Sequence, residues 1–111
     1  MQTMAGNIFS DPLVNKNTPE SFESLVITYD LLVERIVTGE SFTAPSQWYD
    51  QDKDEWVVLM QGQAELEFED DEVLGLSKGD YIFIPAHKRH RVKAVSKSPN
   101  CIWLAIHGNL K

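Results

Sequence analysis

The chain has 111 residues, of which 42% are hydrophobic and 24% charged, the balance of one ordinary globular domain with its own core. A formal net charge of -7 disfavours nucleic acid and membrane surfaces as partners, since both are bound by neutralising negative charge with Lys and Arg. The single cysteine, Cys101, excludes an intrachain disulfide, and Met1 to Pro12 has neither a basic leader nor an apolar stretch, so a cytoplasmic setting is expected.

Residues 1–20 are polar and rich in turn formers, with Asp11-Pro12 and Thr18-Pro19, and read as an irregular arm; residues 21–111 read as a single domain. Phe22 to Tyr29 and Leu31 to Val37 are rich in branched and aromatic side chains and read as strands, the second ended by Thr38-Gly39-Glu40. Trp56 to Met60 is a third strand, stopped at Gln61-Gly62. From Gln63 to Glu69 the alternation is strict. Ala64, Leu66 and Phe68 face one way for a core, and Glu65, Glu67 and Glu69 face the other for water. Asp70-Asp71 turns the chain, Glu72 to Leu76 returns, and Ser77-Lys78-Gly79-Asp80 turns it again. Tyr81 to Ile84 is apolar on both faces, which calls for cover on both, and Pro85 closes it because proline cannot donate to a ladder. His90 to Val95 places Val92 and Ala94 on the face of His90, with Arg91 and Lys93 outside, and Cys101 to Ile106 is the last strand. The longest apolar runs, Trp56–Met60 and Ile102–Ile106, are too short to span a bilayer. No long amphipathic helix is present, and many short strands with turns between them mean an all-β sandwich or barrel.

Two segments bear on that choice. Gly79 to His90 carries a glycine, five residues, a proline, and then a histidine at the end of the stretch, and it resembles the second cupin motif. His87 stands where that motif has a glycine, and Ala94 where it has an asparagine. Glu55, the six residues Trp56 to Gln61, and Gly62 match the second half of the first cupin motif. The His-x-His pair of that motif falls on Tyr49 and Gln51, or on Trp48 and Asp50 with a spacer one residue longer. The chain thus resembles a small single-domain cupin over about residues 30–107. The resemblance implies a small antiparallel β-barrel of the jelly-roll-like, double-sheet kind. It also implies a divalent metal ion (iron, manganese or zinc), a small polar ligand, dioxygenase- or isomerase-like chemistry, and a homodimer. The two-sided apolar strand Tyr81–Ile84 is a separate reason to expect an isologous pair.

Transferred residue by residue, the resemblance makes Glu55, His90 and Gln51 the metal ligands, with Asp50 as a second choice. Tyr49 or His87 would donate or accept a proton. Trp48, Tyr49, Trp103 and His107 would form the ligand wall. Plainer roles stand beside each: Glu55 paired with a neighbouring cation, His90 a hydrogen-bonded core histidine, His87 a turn residue, and His107 an exposed strand end. The aromatic residues read equally as packing, and Asp50, Asp52, Asp54 and Glu55 as a solvated acidic rim. The missing histidine pair supports a second function class, a metal-free module that binds or senses a small ligand without turnover. No nucleophile elbow, Cys–His pattern or glycine-rich phosphate loop occurs.

Overall fold

The structure is a computed structural model that describes residues 5–10 and 19–111. It contains β1 (Glu20–Ile27), β2 (Leu31–Thr38), β3 (Asp54–Gln61), β4 (Gln63–Phe68), β5 (Val73–Ser77), β6 (Tyr81–Ile84), β7 (His90–Val95) and β8 (Ile102–Gly108), with no helix among the described residues. All pairings are antiparallel. They form a five-stranded sheet in the order β1-β2-β8-β3-β6 and a three-stranded sheet in the order β5-β4-β7. The backbone ladders make a jelly-roll-like pair of sheets and do not close into one cylinder among the described residues. Most of the expected arm, residues 1–4 and 11–18, lies outside the described residues.

Period-two patterning decides what lies between the sheets. Glu55, Val57 and Leu59 of β3 face Trp103, Ala105 and His107 of β8 in register, Glu55 opposite His107 and Leu59 opposite Trp103. The facing sheet contributes Ala64, Leu66, Phe68 and Leu76, and these side chains form one buried cluster with Val57, Leu59, Ile84 and Trp103. Each buried Leu or Phe contributes roughly 1.5–3 kcal/mol by leaving water, so this cluster is what clamps the two sheets together.

Three details position the polar groups. Gly62 turns the chain between β3 and β4 at a φ of +91°, and a Cβ there would lie 2.9 Å from both Cys101 Sγ and Ser96 Oγ, so the turn admits no side chain. β7 pairs with β4 through a bulge, Glu65 opposite Ala94 but Leu66 opposite Val92. The bulge reverses the parity expected for the end of β7: Val95 packs against the core and Ala94 is exposed. On the outer face of β2, Arg35 is buried, ion-paired to Glu23 at 2.6 Å, and donates to the carbonyls of Asn7, Ile8 and Ser10 at 3.0–3.3 Å. That contact holds residues 5–10 against the sheet.

The cover expected on both faces of Tyr81–Ile84 is only half present within the chain. Ile84 is buried, whereas Tyr81 and Phe83 on the outer face of this edge strand are 67% and 40% exposed. No helix among the described residues is long and apolar enough to cross a membrane.

Candidate functional site

Between the sheets, where β3 and β7 both begin, lies a cavity of about 120 Å³. Its apolar wall comes from Phe22, Ile36, Val57, Leu66, Ile84 and Val92, with Trp103. Polar side chains reach it from both sheets: Glu20 from β1, Glu34 from β2, Glu55 from β3, His107 from β8 and His90 from β7. Tyr49 and Gln51 enter from the segment joining β2 and β3.

The centre is a contact between Glu55 Oε1 and His90 Nε2 at 3.5 Å, both side chains being more than nine-tenths buried. His90 is held on its other nitrogen, where Nδ1–H donates to the Lys88 carbonyl at 2.9 Å. Glu55 is placed by its neighbour. The Asp54 carboxylate accepts the backbone N–H groups of Ala86 and Leu110 at 2.9 and 3.0 Å, which pins the start of β3 to the segment after β6 and to the C-terminal residues. Those two donors also hold the Asp54 carboxyl below its usual pKa. Asp54 is therefore a buried anchor, and neither it nor the buried Glu55 is part of a solvated acidic rim.

From Glu55 the hydrogen bonds continue outward. Gln51 donates its amide N–H to Glu55 at 3.5 Å, which turns its carbonyl toward His107 Nδ1 at 3.2 Å. His107 Nε2 meets Glu34 at 2.9 Å. Each imidazole thus faces an acceptor on both nitrogens, an arrangement fully satisfied only by the charged ring. Burial works against the His90 cation, but the Glu55 and Lys88 oxygens outweigh it, and the pKa is raised. For His107 the Glu34 hydrogen bond raises the pKa against the opposing effect of burial. Burial pushes the Tyr49 phenol up, with the Glu20 and Glu55 charges adding to the effect. Glu20 is raised to about 7, first by burial and then by the neighbouring Glu34.

The segment carrying Tyr49 and Gln51 is tied down along its length. Tyr49 and His90 exchange two backbone hydrogen bonds at 2.8 and 3.2 Å, and their rings lie 5.9 Å apart. The Gln51 carbonyl accepts the His87 N–H at 2.7 Å. Arg91 lies over the Trp48 ring at 3.9 Å, donates to the Ser46 carbonyl, and pairs with Glu67 at 2.7 Å.

The structure gathers Glu55, His90, Gln51, Tyr49, Trp103 and His107 around one cavity. It does not bring Trp48, Asp50 or His87 there. Trp48 packs under Arg91, and Asp50 turns outward to His87 Nδ1 at 2.9 Å and Arg89 Nε at 3.2 Å. Those two hydrogen bonds lower the Asp50 pKa. His87 occupies a left-handed turn at a φ of 66° with its side chain 69% exposed, which is the backbone conformation that suits the glycine of the second cupin motif.

A family model described as "Cupin domain" matches residues 32–107. The chain belongs to the cupin family. No match was found among curated protein sequences. Among solved structures, a protein of Ralstonia eutropha JMP134 bearing the provisional name mannose-6-phosphate isomerase is 37% identical, with a TM-score of 0.82 over 95% of this chain and 97% of that one. An RmlC-like cupin of Desulfovibrio desulfuricans matches at 14% identity and a TM-score of 0.74, over 96% and 97% of the two chains. The structure of FeII HppE matches at 14% identity and a TM-score of 0.66, over 79% of this chain and 49% of that one. At that identity the last two show the fold alone.

Of the two residue pairs onto which the motif's histidines could fall, Tyr49 and Gln51 line the cavity and Trp48 and Asp50 do not, and Gln51 serves as a hydrogen-bond bridge. Among the described residues no three His, Cys, Asp or Glu side chains gather as a metal-holding group. His107 is near, but both its nitrogens are engaged. The donor set therefore does not fit a tightly resident ion.

Two cavity acids, Glu20 and Glu34, escaped the sequence reading. Glu34 had a signal, since it shares a strand face with Leu32 and Ile36 in a run of apolar residues. Glu20 fell in the stretch read as an arm and carried none.

A carboxyl whose pKa is higher in the folded chain than in the unfolded one binds its proton more tightly when folded, so its contribution to stability holds below about pH 4.5 and is lost as pH rises through about 7. Glu20→Gln, which mimics the protonated form, should leave stability unchanged in acid. At pH values above 7 it should raise stability by about 1–2 kcal/mol, after allowance for partial exposure. Urea unfolding of both proteins across that range checks this, and parallel curves for the two would contradict it.

Proposed function

We propose that this cupin holds a small polar molecule in the cavity between its sheets, where Glu55 and Tyr49 hydrogen-bond to it and the Glu55–His90 pair can exchange protons with it. One observation carries the reading: the continuous chain Glu34–His107–Gln51–Glu55–His90 lies along the wall of an otherwise apolar cavity. A carboxylate and an imidazole in contact, with a half-exposed phenol beside them, are suited to proton shuttling of the isomerase kind. Tyr49 is the proton-transfer candidate that faces the cavity; His87 is turned to Asp50.

The convergence of Glu55 and His90 favours a second reading, in which the pair and Gln51, completed by water, hold a divalent cation of the iron, manganese or zinc kind. Metal analysis of untagged protein after incubation with ferrous, manganous and zinc salts separates the two, with Glu55→Gln and His90→Ala alongside. The first reading predicts well under one ion per chain in all three proteins. Stoichiometric metal in the parent that disappears in both variants establishes the second.

The isologous homodimer is part of the proposal. The exposed apolar outer face of β6, with Tyr81 and Phe83, supports it, because an open apolar edge strand is a surface that proteins cover. Light scattering at tens of micromolar should give twice the chain mass of 12.6 kDa, and a monomer contradicts the pairing.

A further inference from the structure

We infer that the cavity selects a compact, uncharged or cationic molecule with an apolar body, and rejects phosphorylated and other anionic ligands. The inference rests on the proposed binding of a small molecule between the sheets and names its chemical class.

The first observation is the balance of charge. Three carboxylates face the cavity, from Glu20, Glu34 and Glu55, against two imidazoles, from His90 and His107. Among the described residues no Lys or Arg lines it. Each imidazole is already matched to one carboxylate, His90 to Glu55 and His107 to Glu34. With both rings charged the two pairs are neutral, and the Glu20 carboxyl is left over; with either ring neutral the negative excess grows. The nearby guanidinium groups are committed elsewhere. Arg89 pairs with Asp50 and Glu69, Arg91 with Glu67 and the Trp48 ring, and Arg35 with Glu23 on the outer face. A phosphate or carboxylate would enter an apolar-walled site against like charge and, among the described residues, meet no cation free to receive it.

The second observation is independent. Trp103 lines the cavity, is 3% exposed, and its Nε1–H has no acceptor among the described residues. A buried donor left unpaired is costly, so a ligand whose hydroxyl or carbonyl oxygen reaches it, with a small shift of the side chains that now seal the nitrogen, recovers a hydrogen bond that the protein does not make for itself. One neutral donor suits one neutral acceptor and cannot balance an anionic group. Size sets the third limit: the cavity of about 120 Å³ is close to the roughly 150 Å³ that accommodates benzene, so the body of the ligand is the size of a single ring. The Ralstonia relative's name denotes a phosphorylated sugar. The side chains around this cavity provide no receptor for that group.

Benzyl alcohol, benzylamine and benzoate share one ring and differ in charge, and they probe the site directly. Each is titrated into the protein after chelation, at about pH 8, where an ordinary carboxyl is ionised. The readout is the Trp103 indole N–H resonance, picked out from the three tryptophans by Trp103→Phe. The expected result is saturable shifts with benzyl alcohol and benzylamine, and binding of benzoate weaker by about tenfold or more. Glu20→Gln should narrow that gap several-fold, and Trp103→Phe, followed through the backbone amide resonances of the other cavity residues, should weaken benzyl alcohol by about fivefold, the loss of one hydrogen bond. Mannose 6-phosphate should give no saturable shift. Benzoate binding as tightly as benzyl alcohol, or saturable binding of mannose 6-phosphate, overturns the inference while leaving small-molecule binding in place. No saturable shift with any of the three ring probes overturns both.

Discussion

A carboxylate and an imidazole buried against one another between two apolar sheets set the terms for this structure. Neither Glu55 nor His90 could lie there alone as an ion, since an unpaired buried charge is among the most costly features a core can contain. Breaking such a pair from one side typically costs about 3–5 kcal/mol. The two residues belong to different sheets, Glu55 to the five-stranded one and His90 to the three-stranded one, so their contact also registers the sheets against each other. Much of the local detail serves that placement. Asp54 fixes the start of β3, the Lys88 carbonyl orients the His90 ring, and the bridge between Tyr49 and His90 lays the β2–β3 segment across the cavity.

The polar chain around this contact is asymmetric, and its asymmetry is what gives the cavity a chemical character. Two imidazoles answer two carboxylates, while Glu20, at the β1 side, has no cation beside it among the described residues, its pKa raised to about 7. On the same sheet, at β8, the Trp103 indole N–H has no acceptor among the described residues. The site therefore presents a carboxyl with no cation beside it and an unpaired donor, among the described residues, set in apolar walls, and an unpaired buried donor marks a place where a protein is complemented by something else. The presence of Tyr49 and Gln51 at the cavity, where the resemblance offers them as one reading of the histidine pair, fits the same picture. It turns what would be ligand positions into a phenol and an amide that extend the hydrogen-bond chain.

The strands were legible in the sequence because their signal is local. Ala64, Leu66 and Phe68 are buried and Glu65 and Glu69 exposed, as strict alternation requires. The Gly79 to His90 stretch placed the start of the strand at His90 for the same reason: a turn and a proline fix where the strand after them begins. What was not legible depended on distant parts of the chain. The bulge opposite Glu65 moves Val95 inward in place of Ala94, and nothing within His90–Val95 announces it. Asp50 and Asp54 look alike in an acidic run, yet one is turned to His87 and Arg89 outside while the other is buried under two backbone N–H groups. Glu20 and Glu34 became cavity residues only because β1 and β2 are laid beside β8, which separation along the chain does not reveal.

The contact between Glu55 and His90 is most directly tested by an NMR titration of the His90 imidazole in the parent and in Glu55→Gln. The account predicts a pKa above the ordinary 6.5 in the parent, with Nδ1 protonated throughout, and a fall below that value in the variant, where burial acts without the carboxylate. A His90 pKa that is the same in both proteins would contradict it.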